Sequence, residues 1–334
     1  MNKKNVLINA SAAKCGGALT ILNLFCRSKS SDEFNFYFII SPVKPSFLPK
    51  HSKWIKLSTS GVYTTIFSLL VVNFYYFIYK CDKVISFSNL NSVLPLKERV
   101  TYFHNILICD SPAIKYKLIR FVHKYLNQKT CMYIFQTDFV YQRFLAVFLK
   151  VDFFKIAWPG LELDLSGVSK ISDDGAQVKG HMKKYYVVPI VNLDNLHKNF
   201  KMIVSIASQL VESKHIEFRV TAKSIVFPGL PHNIKFIGPL TREDFLNEVA
   251  NSSGVLNVST NETLCLPIFE SICLNKPAFV LNADFLSGLY SHFPEINGLY
   301  VFNDVTSACC LLESFNMDSN IYSKQIYIDG YWDI

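Results

Sequence analysis

Short apolar runs alternate with longer segments of helical periodicity along most of this chain, and that alternation admits few folds. Strands buried on both faces, each followed by a helix, assemble into parallel sheets with crossover connections. In the first half strands are predicted near 5–9, 36–41, 83–87, 100–104, 131–135 and 154–158, with helices over 18–27, 62–79, 113–127 and 138–149. A polar break from Glu162 to Lys184 then interrupts the pattern; it contains Ser166-Gly167 and Ser172-Asp173-Asp174-Gly175 and reads as a linker. The pattern restarts at Tyr185-Tyr186-Val187-Val188-Pro189. Strands follow near 216–220, 234–238, 254–258, 278–281 and 299–302, with helices over 242–251, 267–275 and 304–313. Thr241-Arg242-Glu243-Asp244 opens the first of these helices as a capping box in which Asp replaces Glu or Gln. The expected architecture is α/β: an N-terminal Rossmann-like domain over 1–161, a linker over 162–184 and a C-terminal Rossmann-like domain over 185–334, with a cleft between them. In open parallel sheets ligands bind at the carboxyl ends of the strands, so the loops after strands are where chemistry is sought.

A chain of 334 residues is long enough for two such domains at ~150 residues each. Half its residues are hydrophobic and only 18% are charged, which excludes a disordered chain. The net charge of +8 fits an anionic membrane surface, a phosphate-bearing ligand or nucleic acid. No stretch interleaves basic residues with aromatics in a recognisable nucleic-acid motif, so no nucleic-acid partner is expected. The nine cysteines are scattered without a C-x-x-C, which is neither a disulfide framework nor a zinc pattern. The apolar run Val6–Ile8 is too short for a signal peptide, and a cytoplasmic location is expected.

From Leu57 to Tyr79 there is no charged residue, and 66–79 is strongly apolar (IFSLLVVNFYYFIY). A transmembrane span is one reading. A helix buried against a sheet is preferred, because strands at 5–9 and 83–87 flank it and a span would put them on opposite sides of a membrane.

The segment Phe236 to Asp284 carries the functional reading. Its strand 254–258 ends in a polar loop, Ser259-Thr260-Asn261-Glu262, and Pro267 sits at a favoured first helical position. Glu262 on the loop and Glu270 one turn into the helix can both face a ligand near the helix N-terminus. Backbone N–H groups there suit anionic oxygens, and carboxylates suit sugar hydroxyls. The ordered series Phe236-Ile237-Gly238, Val255–Val258, Ser259, Glu262-Thr263-Leu264-Cys265-Leu266-Pro267-Ile268-Phe269-Glu270-Ser271, Asn275-Lys276-Pro277 and Asn297-Gly298-Leu299-Tyr300 resembles the C-terminal half of glycosyltransferase family 4, the retaining enzymes of the GT-B fold. The series spans about a fifth of the chain.

The resemblance implies roles. Glu262 contacts donor-sugar hydroxyls, Glu270 holds the nucleotide ribose, and the amides of Thr263, Leu264, Cys265 and Leu266 approach the sugar and diphosphate. Gly238 belongs to the same donor site. Lys198, in Leu196-His197-Lys198-Asn199-Phe200 early in an apparent helix, corresponds to a Lys that neutralises the diphosphate; His-Lys-Asn resembles the version in bacterial surface-polysaccharide (O-antigen or capsule) enzymes. Two departures stand out: the family's Gly is Cys265 here, and the Arg usual upstream of the Lys is missing from Val191-Asn192-Leu193-Asp194.

In the first half, Gly16 and Gly17 follow the first strand where the family has Gly-Gly, and they let backbone approach the diphosphate or the acceptor. A plain turn is the simpler reading of such a pair. His104-Asn105 ends a strand, as a Phe-His-Asn does in related enzymes, and His104 could bond donor or acceptor; Gln136-Thr137 is a lesser candidate of that kind. The catalytic candidates are therefore Glu262, His104 and Lys198. The helix over 113–128 is amphipathic, with Ile114, Leu118, Phe121, Val122 and Tyr125 on one face and Lys117, Arg120, His123 and Lys124 opposite. A basic face of this kind can rest on anionic lipid, and is otherwise simply solvated. With Asn105, residues Lys117, Arg120 and Lys124 are the acceptor or membrane candidates. No D-x-D occurs, so a metal-dependent GT-A enzyme is not expected, nor any metal or other cofactor.

The expected function is retaining transfer of a sugar from a nucleotide-sugar donor to a lipid-linked oligosaccharide acceptor, with peripheral contact to the anionic inner face of the cytoplasmic membrane. Two alternatives stay open: a catalytically degenerate GT-B scaffold subunit of a polysaccharide assembly complex, and a GT-B nucleotide-sugar epimerase.

Overall fold

A computed structural model describes residues 3–126, 128–148, 151–163, 184–213, 215–224, 229–315 and 325–332. Most of the expected linker, 164–183, lies outside them. Seven strands of the first half form one sheet: β1 (Lys4–Asn9), β2 (Asn35–Ser41), β3 (Ser52–Lys56), β4 (Lys83–Ser86), β5 (Glu98–Phe103), β6 (Met132–Phe135) and β7 (Phe153–Ile156), in the order β3-β2-β1-β4-β5-β6-β7. Six strands form a second: β8 (Lys184–Val188), β9 (Ile216–Val220), β10 (Ile234–Phe236), β11 (Val255–Asn257), β12 (Ala278–Leu281) and β13 (Leu299–Phe302), in the order β10-β9-β8-β11-β12-β13. Every pairing in both sheets is parallel. The fold is therefore two Rossmann-like α/β units, as the alternation of runs implies. β3 was not expected; its strand Ser-Lys-Trp-Ile-Lys is an edge with too few apolar residues to stand out.

Burial on both faces explains why the strands read as continuous apolar runs. In β8, Tyr186 and Val188 point to a core shared with the helices Phe200–Gln209 and Val305–Ser314, while Val187 points the other way, toward Val249 and Val255. In the first sheet Phe103, Tyr133 and Phe135 pack on Val140 and Phe144 of the helix Asp138–Val147.

The two compact units are not simply consecutive. One comprises Met1–Glu162 with Ser287–His292 and Asp329–Ile334; the other comprises Leu163–Leu286 and Phe293–Ile328. The division at 161 and 185 thus omits two later returns to the first unit. His292 Nε2 lies 2.6 Å from the Gln136 carbonyl, and Trp332 packs edge-on against Phe25, at 5.5 Å between ring centroids. Such short returns carry no periodicity that a sequence reading could use.

Residues 62–78 are helical as expected, but not wholly buried. An α-helix (Val62–Ile66), a π-turn (Phe67–Val71) and an α-helix (Val72–Ile78) run on continuously. Phe67, Val72 and Tyr76 pack on Leu7, Ile40 and Val84 of the sheet, whereas Tyr63, Leu70, Phe74 and Phe77 are exposed. The π-turn leaves carbonyls of the helix for Asn73, whose Nδ2 donates to Leu69 and Leu70 at 3.1 and 2.9 Å. Among the described residues no helix is long and apolar enough to cross a membrane.

The helix Ile114–Tyr125 also departs from its expected orientation. Tyr116, Val122 and His123 face inward, and Ile114, Leu118, Phe121 and Tyr125 face outward. The sequence offers two apolar rows, and the inner row is the one completed by a histidine. His123 is therefore not on a basic solvent face: its Nδ1 lies 2.9 Å from the Tyr133 hydroxyl, and its ring is 5.7 Å from that of Phe144.

Burial lowers the pKa of His123 to about 3, with a backbone hydrogen bond to Asn89 opposing. The folded protein thus keeps this ring neutral while the unfolded chain takes up a proton below about pH 6.5, so stability falls with pH from there toward 3. Chemical denaturation from pH 7 to pH 4 should show the wild type losing on the order of 3 kcal/mol more than His123→Gln. Parallel pH profiles of the two proteins would contradict this.

Candidate functional site

In the second unit the strand order reverses between β8 and β11. From β8 the chain proceeds to β9 and β10 on one side, and from β11 to β12 and β13 on the other. The loops leaving these neighbours at their carboxyl ends diverge, which opens the crevice where such sheets bind ligands. The loop after β8 ends in a tight 3-10 turn, Leu196–Lys198; Asn199, left-handed at φ +52°, then starts the helix Phe200–Gln209. Lys198 therefore sits in the turn before the helix rather than early within it. The loop after β11 carries Ser259 to Cys265 and leads into the helix Leu266–Cys273.

The two loops are tied together. Thr260 N donates to the His197 carbonyl at 2.8 Å, and Lys198 Nζ donates to Glu262 Oε1 at 2.5 Å. The ion pair is mostly shielded from solvent. Burial alone would lower the Lys198 pKa, but the Glu262 carboxylate outweighs it and holds the ammonium above its ordinary value. A charged lysine is thus fixed at the switch point across the neutral range.

Glu270 lies within the helix Leu266–Cys273 and is only 1% exposed. Its Oε1 accepts from Arg242 at 2.6 Å, while its buried Oε2 has no hydrogen-bond partner. A buried carboxylate oxygen without a donor is costly unless a ligand supplies one. Arg242 is the residue that sequence reasoning missed. It opens the helix Arg242–Ala250, whose cap is Thr241: the Thr241 Oγ1 accepts from Asp244 N at 3.2 Å and donates to Asp244 Oδ2 at 2.6 Å. A cation in a helix's first turn opposes the macrodipole, and the Glu270 carboxylate offsets that cost.

Cys265 has φ +50°, in the left-handed region. Such a backbone favours glycine, the residue that the resembled family carries in this place. The cysteine side chain is buried and accepts a hydrogen bond from Asn257 Nδ2 at the end of β11; Asn257 Oδ1 in turn accepts from Ser259 N at 2.7 Å. Burial raises the Cys265 pKa, the charges of Glu262 and Glu270 push the same way, and Lys198 opposes them. Burial and the two carboxylates thus both disfavour a thiolate at Cys265. Leu264 is buried beside it, and Thr263 and Leu266 are partly exposed. Gly238, at φ +80° after β10, has open space where a side chain would be.

In the first unit the order reverses between β1 and β4. Asn9, which ends β1, donates to Ser68 Oγ at 2.9 Å and to Ser86 Oγ at 3.2 Å. Gly16 and Gly17 open the helix Gly16–Ser28; Gly16 has φ +60°, and both have empty space where a Cβ would be. His104 follows β5, and its backbone N donates to Asn89 Oδ1 in the loop after β4 at 2.9 Å. Burial lowers the His104 pKa to about 4, and its buried Nδ1 has no hydrogen-bond partner. Asn105 is turned to a local task, its Oδ1 accepting from Leu107 N at 3.2 Å. Thr137 caps the helix Asp138–Val147 by accepting from Val140 N at 3.2 Å. Lys117 and Lys124 are exposed, whereas Arg120 donates to the Ile108 and Ser111 carbonyls at 2.7 and 2.9 Å. Among the described residues no cluster of three or more His, Cys, Asp or Glu could hold a metal ion.

The left-handed backbone at Cys265 yields a stability test. Replacing it with glycine relieves roughly 1–2 kcal/mol of conformational cost and loses a similar amount through the buried side chain and chain entropy. Thermal unfolding of Cys265→Gly should therefore stay within about 1 kcal/mol of wild type, whereas Cys265→Val, β-branched, should lose about 2 kcal/mol or more. Equal losses in both variants would contradict the backbone explanation.

No family model matches the chain, and no curated protein does. Solved structures do. HepE of Anabaena, in complex with UDP and glucose, is 14% identical, with a TM-score of 0.61 covering 93% of this chain and 89% of that one. WaaG, a glycosyltransferase involved in lipopolysaccharide biosynthesis, is 13% identical, with a TM-score of 0.62 covering 96% of this chain and 97% of that one. S. aureus MnaA, solved with UDP, is 14% identical, with a TM-score of 0.58 covering 98% of this chain and 93% of that one. At these identities the likeness is one of fold: two all-parallel Rossmann-like units, the GT-B architecture.

Proposed function

We propose that this chain is a retaining glycosyltransferase. It moves a sugar from a nucleotide-sugar donor to a lipid-linked oligosaccharide acceptor in bacterial surface-polysaccharide synthesis, at the cytoplasmic face of the membrane. The observation that carries this reading is a charged lysine and a carboxylate, Lys198 and Glu262, joined at the switch point of the second unit. The helix beside them holds a second carboxylate, Glu270, with an unpartnered buried oxygen. A nucleoside diphosphate bearing a sugar offers what these groups lack: negative oxygens for Lys198 and the amides before Leu266, and hydroxyl donors for Glu262 and Glu270. The family-4 resemblance of the same segment supports these roles.

The chemistry proposed is front-side displacement. The bond between the anomeric carbon and the diphosphate oxygen breaks, the acceptor oxygen bonds to the same face, and the departing phosphate takes the acceptor proton. No protein nucleophile is required, and the buried Cys265 thiol supplies none. Lys198 stabilises the charge that grows on the leaving diphosphate, without a metal ion. His104, neutral at pH 7, accepts or donates one hydrogen bond through Nδ1 to donor or acceptor.

HepE and MnaA were each solved with UDP, which makes UDP and UDP-sugars the first ligands to test, with GDP and dTDP beside them. A nucleotide at 100 times its Kd should stabilise the wild type by about 2.7 kcal/mol in thermal unfolding, and should not stabilise Glu270→Ala. In a transfer assay Lys198→Met should lower kcat roughly 100-fold, with NMR of the wild-type product showing the donor's anomeric configuration kept. A folded protein stabilised by none of these nucleotides would overturn the proposal.

A further inference from the structure

The first unit exposes an apolar surface that neither its core nor the proposed chemistry uses. Along 62–78, Tyr63, Ile66, Leu70, Phe74, Phe77 and Ile78 are 43–74% exposed. On the helix Ile114–Tyr125, the row Ile114, Leu118, Phe121 and Tyr125 is 42–84% exposed. The two helices are neighbours, since Leu69 of one and Val122 of the other share a buried cluster with Leu90. Ten large apolar side chains on adjacent helices exceed what a solvated surface ordinarily carries, and mark a contact site.

Charge identifies the occupant. Neither 57–80 nor 111–129 contains an aspartate or a glutamate. The exposed charges on these stretches are Lys80, Lys115, Lys117, Lys124 and Lys129. The flanking carboxylates, Asp82 and Asp110, are engaged by Lys97 and Arg143. A second copy of the same face would set lysines against lysines. A surface that is anionic in its outer layer and apolar beneath suits both features, and exposed Tyr and Phe belong at that boundary. The helix is held along the sheet by Phe67, Val72 and Tyr76, so it can lie in an interface but not cross one.

We infer that the exposed rows of these two helices form one docking face that beds into an anionic lipid bilayer surface, with the lysines on its rim. This deepens the reading above, resting on it only for the lipid anchor of the acceptor; the face itself stands on exposure and charge. It replaces the basic row expected of residues 117–124 with an apolar row edged by lysines. Arg120, bound to backbone carbonyls, takes no part.

The test is flotation of the protein with vesicles of phosphatidylcholine alone or mixed with phosphatidylglycerol. Wild type is compared with Phe74→Glu/Phe121→Glu and with Lys117→Glu/Lys124→Glu. Thermal unfolding with and without UDP is followed for each protein, and light scattering gives its oligomeric state. The expected result is at least tenfold tighter binding to the anionic vesicles, weakened at least tenfold in both variants and by added salt, with unfolding and the UDP response unchanged. Equal binding to both kinds of vesicle, or none, would overturn the inference. So would a wild-type dimer that Phe74→Glu/Phe121→Glu turns into monomer, since the face would then belong to a second copy. A wild type that responds to UDP but binds no vesicles contradicts the docking face alone; a wild type that binds anionic vesicles without any nucleotide response supports the face while counting against the transferase.

Discussion

All-parallel pairing is the constraint on which the rest of this structure depends. Every strand must be followed by a crossover, so each sheet gathers its strand ends, and therefore its loops, along one edge. Within that edge one position differs from the others, the pair of neighbouring strands from which the chain departs in opposite directions. In the second unit that pair is β8 and β11, and the Lys198–Glu262 bond spans its two loops. The ion pair and the Thr260–His197 hydrogen bond give two otherwise independent loops a fixed separation. The helix start at Leu266 and the buried carboxylate of Glu270 are set relative to it.

The outline of this arrangement was legible because parallel strands buried on both faces leave an apolar run, as Val6–Ile8 and Val255–Val258 do. The edge strand Ser52–Lys56, half exposed and flanked by lysines, does not. The segment holding Glu262 and Glu270 was legible for another reason: a polar loop after a strand and a proline at a helix start mark a helix N-terminus, and the ordered series of residues resembles that of family 4. What the sequence could not reveal were partnerships across long separations. Arg242 reads as an ordinary residue of a capping box until the fold sets it against Glu270, 28 positions later. The returns of His292 and Trp332 to the first unit rest on a few residues without any periodic pattern: Trp332 meets Phe25, Phe87 and Tyr102, and His292 meets Gln136 and Trp158.

The helices of the first unit show where periodicity misleads. Residues 62–78 carry no charge on any face and are mostly apolar, and a helix of that kind is ordinarily buried. Here one face meets the sheet and the other meets solvent. On Ile114–Tyr125 two apolar rows compete, and the one with the larger side chains is outside. In both cases hydrophobicity marked the residues but could not say which row the protein itself would cover. Cys265 is a related instance: its departure from the family's glycine looks like an obstruction in sequence, yet its side chain turns inward to Asn257 and the left-handed backbone is kept.

The central claim is that the second unit binds a nucleoside diphosphate between the loops after β8 and β11. Hydrogen–deuterium exchange of the whole protein with and without saturating UDP tests it most directly. Slowed exchange is expected in peptides covering 196–200 and 258–270, with the far strands of both sheets unchanged. Nucleotide binding that leaves those two loops exchanging as before, or protects a different region, would contradict it.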